Sequence, residues 1–198
     1  GAVLALDRLR TKNGDTIWLT APVKKAPLDT PICEIEISEE RGVWRRKLFA
    51  CIEQNLSKNP HWSSCREFIE SWIFDSTLSK LSDLNIQFIE SVSKQLGLST
   101  QFRRSSELAV TGKRTDKLLG LCQHFDASRY LSNAGSAVYL EDERARFEEI
   151  KVELVFHSWE HPVYNQNGSG FVSHLSVVDP LACLGWNEST NLINVSQA

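Results

Sequence analysis

The order of hydrophobic periodicities along this chain limits its fold more than any single residue does. Strand-like runs come first, a block of helical periodicity follows, and helix and strand then alternate. That order points to the α/β class, a three-layer domain with a mixed, largely parallel sheet and a helical insertion. The apolar run 2–6 reads as a buried strand ending in Asp7. Arg8, Arg10 and Lys12 lead into Asn13-Gly14, a hairpin-turn signal, and 16–23 reads as the returning strand, closed by Pro22. The CEIEI run at 33–37 alternates as a half-exposed strand does. After Gly42, steps of three and four place Trp44, Leu48, Cys51, Ile52 and Asn55 on one helix face. Phe68, Trp72 and Ile73 mark a second helix, and Leu84, Phe88, Ile89, Val92 and Leu96 a third, with Asn59-Pro60 and Gly97 as stops. Beyond them, 98–102, 127–132 and 152–156 read as strands. Residues 113–125, 137–150 and 175–184 read as helices, the last stopped at Gly185.

A length of 198 residues suits one domain spanning 1–198, with a helical subdomain at about 43–97. Hydrophobic content of 41% and charged content of 24% are ordinary for a folded domain and argue against disorder. A net charge of -3 gives no reason to expect nucleic acid or an anionic membrane as partner. No apolar run approaches the roughly 20 residues that span a bilayer. The five cysteines include no CxxC pair and suit reduced thiols in the cytoplasm. Cys122 and Cys183 fall on apolar helix faces, where a buried thiol is inert.

Residues of chemical interest crowd into 156–179, FHSWEHPVYNQNGSGFVSHLSVVD, a loop shaped by Pro162 and by Asn167-Gly168-Ser169-Gly170. His161 is the candidate general base, its ring oriented by Asp179 or Tyr164, acting on an amine or hydroxyl of a sugar. The competing reading makes His161 to Tyr164 a structural corner, with Asp179 a buried hydrogen-bonded partner. His157 and His161 have the spacing of two ligands on a helix, but Pro162 breaks any such helix, so no metal is expected. No P-loop, GxGxxG or GxSxG sequence is present, and no cofactor is expected. Arg45, Arg46 and Lys47 open a helix against its dipole, a cost that Glu39 and Glu40 or a phosphate-bearing ligand would offset. Trp159 and Trp186 flank the loop as candidate sugar-stacking rings.

Four blocks carry a resemblance to a known family. RLRTKNGDTIWLTAPV at 8–23, SSELAVTGKRTDKLLGLC at 105–122, YLSNAGSAVYL at 130–140 and HPVYNQNGSGFVSHLSVVDPL at 161–181 together resemble the WbqC-like proteins. Members occur in gene clusters for O-antigen and other bacterial polysaccharides, which implies cytoplasmic work on nucleotide- or lipid-linked sugars. In the matched blocks the resemblance singles out Arg8, Arg10, Ser105, Ser106, Tyr130, Ser132, Gln166 and Ser176 for binding, beside His161, Tyr164 and Asp179. The family's usual QPxYLPWxGYF-like opening is not in this sequence, and Arg8 follows Asp7 directly where members carry more residues. Group transfer, of an acyl or aminoacyl unit to an amino sugar, is the expected activity. A non-catalytic sugar-nucleotide or glycolipid binding protein is the alternative, and a nucleotidyltransferase using Asp7 a third.

Overall fold

In a computed structural model, which describes residues 2–39, 43–158, 160–168 and 170–195, strand β1 (Ala2–Arg10) pairs antiparallel with β2 (Thr16–Ala21). Glu40, Gly42, Trp159 and Ser169, all named above, lie outside the described residues. The turn at Asn13-Gly14 forms, but it is wider than two residues. The Thr11 amide donates to the Asp15 carbonyl at 2.7 Å and Gly14 to Thr11 at 3.0 Å, with Gly14 at a φ of 93° that favours glycine. Strand β1 is also longer than expected, and its register slips between Val3 and Arg8. Asp7, at φ 53°, sits in that irregularity.

The chain divides into two units, Gly1–Gln101 with His161–Ala198, and Phe102–Glu160. In the first, helices α1 (Trp44–Leu56), α2 (Trp62–Phe74), α3 (Leu81–Gln95) and α7 (Val178–Val195) enclose a core with the β1–β2 hairpin. Leu9, Ile52, Ile69, Leu84 and Leu181 are fully buried, each worth about 1.5–3 kcal/mol relative to exposure. The third-helix face holds for Leu84, Phe88 and Val92, whereas Ile89 is 45% exposed. Glu39 supplies the counter-charge at the start of α1: Arg45 Nε donates to it at 2.9 Å and Trp44 Nε1 at 2.8 Å. Helix α7 does not stop at Gly185 but breaks there, at φ 80°, and runs on to Val195. A Cβ at Gly185 would lie 3.0 Å from His61 Nδ1, a tight contact, and the positive φ would strain any other residue there.

Residues 33–37 do not form a regular strand. Pro31 opens a tight turn over Ile32–Glu34, and only isolated bridges pair Ile37 with Val23 and Glu36 with Lys80. Residues 98–102 form no strand either.

The second unit contains helix α4 (Thr115–His124) and a parallel pair, β3 (Arg129–Asn133) with β4 (Glu153–His157). Cys122, Leu140, Phe147, Val152 and Leu154 form its core. The expected 137–150 helix is broken: α5 (Ala137–Leu140) and α6 (Arg144–Glu149) flank a tight turn at Glu141–Glu143. Tighter winding aligns residues three apart, so the ion pairs are Arg144 with Glu141 at 2.8 Å and Arg146 with Glu143 at 2.7 Å, at i,i+3 rather than i,i+4. Among the described residues the strands thus form two two-stranded sheets, one antiparallel and one parallel, within a mixed α/β architecture. The single mixed, largely parallel sheet expected from the order of elements gives way because 33–37 and 98–102 supply no strands to join the two pairs.

Candidate functional site

Beyond the slip in β1, strand alternation resumes with consequences for the arginines. Leu9 points into the core at 0% exposure, so Arg8 and Arg10 share the opposite face. That face meets the loop from His161 to Val177. Arg8 Nη2 donates to the His174 carbonyl at 2.6 Å, and the Arg8 carbonyl accepts from the Ser176 amide at 2.8 Å. Arg10 Nη1 donates to the Gly170 carbonyl at 3.0 Å and reaches Gln166 Oε1 at 3.4 Å. Gln166 in turn brackets Val172, accepting from its amide at 2.9 Å and donating to its carbonyl at 2.8 Å. The two arginines therefore staple the loop to the strand. Ser176 is 4% exposed, and its Oγ accepts from the Val178 amide at 3.3 Å, which opens α7.

Under this staple lies a buried polar cluster. Tyr164 donates to Asp179 Oδ2 at 2.7 Å, and Gln166 Nε2 donates to the Tyr164 hydroxyl at 3.1 Å. Cys183 Sγ lies 3.9 Å from the same carboxylate oxygen, one helical turn along α7. Asp179 is 3% exposed, and burial raises its pKa despite the Tyr164 hydrogen bond and the nearby Arg10 charge, both of which favour the ionised form. Burial likewise pushes the Cys183 thiol up to about 11, with the Asp179 charge adding to it, so this cysteine is a poor nucleophile. Tyr164 is raised by burial and then by Asp179, and stays a donor.

His161 belongs to a different part of the loop. Its Nδ1 faces the Pro162 carbonyl at 2.9 Å, a contact that suits the tautomer protonated on Nδ1. Its ring centroid lies 6.4 Å from that of Tyr164, 5.6 Å from Phe171 and 5.1 Å from His174. Among the described residues, no three His, Cys, Asp or Glu side chains converge as metal ligands.

Ser105, Ser106, Tyr130 and Ser132 belong to the second unit. Ser105 and Ser106 are exposed in a turn closed by the Glu107 amide on the Arg104 carbonyl at 3.0 Å. Tyr130 stacks on Phe147 at 5.6 Å, and Ser132 is 7% exposed. Trp186, in the first unit, is held in packing: Nε1 donates to the Ser64 carbonyl at 3.1 Å and the ring meets Phe68 edge-on.

A cavity of about 180 Å³ opens beside Arg10 and Asp179, lined also by Lys12, Asn55, Lys58 and Asn167. A second, of about 300 Å³, adjoins it through Lys58, Asn167 and Gly168 and reaches Gln166 and Cys183. Asn55 and Lys58 are not among the residues the sequence singled out for chemistry. The available signal was Asn55 itself, a polar side chain on the apolar face of its helix, which binds the Lys12 amide at 3.2 Å.

No helix among the described residues is long and apolar enough to cross a membrane. No solved structure matches the chain. The uncharacterized protein Rv1507c of Mycobacterium tuberculosis is 26% identical over 181 residues, which cover 90% of this chain and 76% of that one. The model of the WbqC-like protein family matches residues 5–191, nearly the whole length, and the chain belongs to that family.

Proposed function

We propose that this chain is a cytoplasmic group-transfer enzyme of bacterial polysaccharide biosynthesis, moving an acyl or aminoacyl unit onto an amino sugar carried by a nucleotide or lipid. One observation supports the reading: residues 8–10 and 164–179, far apart in sequence, meet in one polar site with a lined cavity beside it. Arg10, Gln166, Tyr164 and Asp179 form its floor. His161 takes the proton of the sugar amine as the amine nitrogen bonds to the donor's carbonyl carbon, and the donor's leaving group departs with its electron pair.

A second reading also has an observation in its favour. The Tyr164–Asp179–Gln166 cluster is bonded within itself, as a scaffold is, which suits a non-catalytic carrier of the same ligand. Mass-spectrometric assay of wild type and His161→Ala with nucleotide-linked amino sugars and acyl or aminoacyl donors separates the two. Loss of about 10²–10⁴ in turnover with ligand binding retained fits a general base. Full complementation of a deletion strain by His161→Ala would leave only the carrier.

A further inference from the structure

We propose that the cavity beside Arg10 is a phosphate-binding subsite, with Lys12 and Lys58 supplying its charge and the amides of Asn55 and Asn167 orienting the oxygens. The inference rests on the sugar-transfer reading for what the phosphate carries.

Charge is the first argument. The chain as a whole is at -3, yet this lining sets Arg10, Lys12 and Lys58 against Asp179 alone. Both lysines are exposed at the rim, where an incoming anion meets them before it is desolvated, while Arg10 is 7% exposed at the floor. Charge-assisted bonds from such donors to phosphate oxygens are among the stronger ones a protein makes.

The second argument is an unsatisfied group. Thr11 is among the residues that line the same cavity, and its hydroxyl is shut off from solvent with no hydrogen-bond partner among the described residues. A buried hydroxyl without a partner costs free energy, and a small turn of the Thr11 side chain toward the cavity would let a phosphate oxygen accept from it. The backbone at Gly168 adds to this. It sits at φ 112°, a conformation that favours glycine, and lies against the Arg10 guanidinium, where a Cβ would stand in ordinary contact at 3.5 Å from Nη2.

Size and sequence of the two cavities define the ligand class. At about 180 Å³ the first is smaller than the ~300–1,000 Å³ pockets that enclose whole drug-sized ligands, and fits a phosphate or diphosphate group. The adjoining cavity has Lys58 as its one cation among the lining residues, with Asn165, Gln166 and Asn167 beside it. Gln166 is already committed to Arg10, Tyr164 and Val172, so the amides of Asn165 and Asn167 are the groups that suit the hydroxyls of a sugar. The ligand is thus a diphosphate-linked sugar, whose diphosphate sits over Lys12 and whose sugar lies toward Gln166. Nucleotide sugars and lipid-diphosphate sugars share this chemistry.

The test is calorimetric titration of the full chain with inorganic pyrophosphate, uridine diphosphate and geranyl diphosphate. Saturable pyrophosphate binding is expected, weakening with added salt and by about tenfold or more in Lys12→Ala and in Lys58→Ala. Lys25→Ala, an exposed lysine away from the cavity, should bind as wild type does. Tighter binding of uridine diphosphate would assign the nucleotide source, and tighter binding of geranyl diphosphate the lipid source; either supports the subsite. Absence of saturable pyrophosphate binding, or equal binding by all three lysine variants, overturns it. Pyrophosphate binding together with no transfer in the His161 assay would instead overturn the transfer reading and leave the subsite standing.

Discussion

Asp179 is 3% exposed and His174 stands in solvent, although both lie in the same stretch that Arg8 and Arg10 pin to β1. The Asp179 side of the loop is a closed network in which Arg10, Gln166 and Tyr164 each satisfy a neighbour. The histidine side is a set of rings, His161, His174 and Phe171, at centroid separations of 5.1 to 5.6 Å, with His161 half-buried. Burial makes the difference matter. In the closed network each missing donor strands a desolvated acceptor, whereas at the rings water replaces what is removed. The network holds the loop in place, and the rings are where chemistry can be altered at little structural cost.

The largest effect that can break this comparison is at Arg10. Arg10→Met leaves the Gly170 carbonyl and Gln166 Oε1 without their cationic donor and withdraws the charge that favours ionised Asp179. The expected loss is about 3 kcal/mol in urea unfolding. A change under about 1 kcal/mol would show that the staple is dispensable, and the contrast between the two sides would collapse. Tyr164→Phe is the next step down. It removes one donor from buried Asp179 while keeping the ring, for about 1–2 kcal/mol by the same measurement.

Asp179→Asn sharpens the comparison through pH. Burial raises the folded Asp179 pKa above its ordinary 3.8, so the folded chain keeps a proton that the unfolded chain releases. That contribution to stability is fully present below the unfolded value and is lost as pH rises through the folded one. Wild-type stability measured against Asp179→Asn should therefore decline as pH rises from about 4 toward neutrality. A flat difference over that window would mean the carboxyl titrates as an exposed one does.

Why the closed side was only half legible in the sequence follows from Arg8-Leu9-Arg10. The alternation was there to read, but alternation alone does not say which of its two faces is buried. Only the slip at Asp7, a local backbone event at φ 53°, sets which face the arginines take. Tyr164, Gln166 and Asp179 were legible as polar residues in one loop, yet their mutual bonds depend on tertiary placement. The contact of His161 Nδ1 with the Pro162 carbonyl, one residue along, and the bond from Tyr164 to Asp179 both depend on that placement. Helix faces read well where burial is periodic, as in Leu84, Phe88 and Val92. The strand at 33–37 read poorly because alternation signals exposure on two faces and not the presence of a partner.

The smallest expected effect is at His174, where the comparison is most exposed to refutation. This residue holds φ 58°, a conformation that costs a side-chain-bearing residue roughly 1 kcal/mol and glycine little. Its carbonyl, not its ring, accepts from Arg8, so the staple survives loss of the side chain. Relief of backbone strain in His174→Gly opposes the greater entropy of glycine in the unfolded chain, and the two are similar in size. Stability should then change by less than about 0.5 kcal/mol, in either direction. A loss of 1.5 kcal/mol or more would show that the His174 ring bears on His161 structurally, and that the outer side of the loop is as interlocked as the inner.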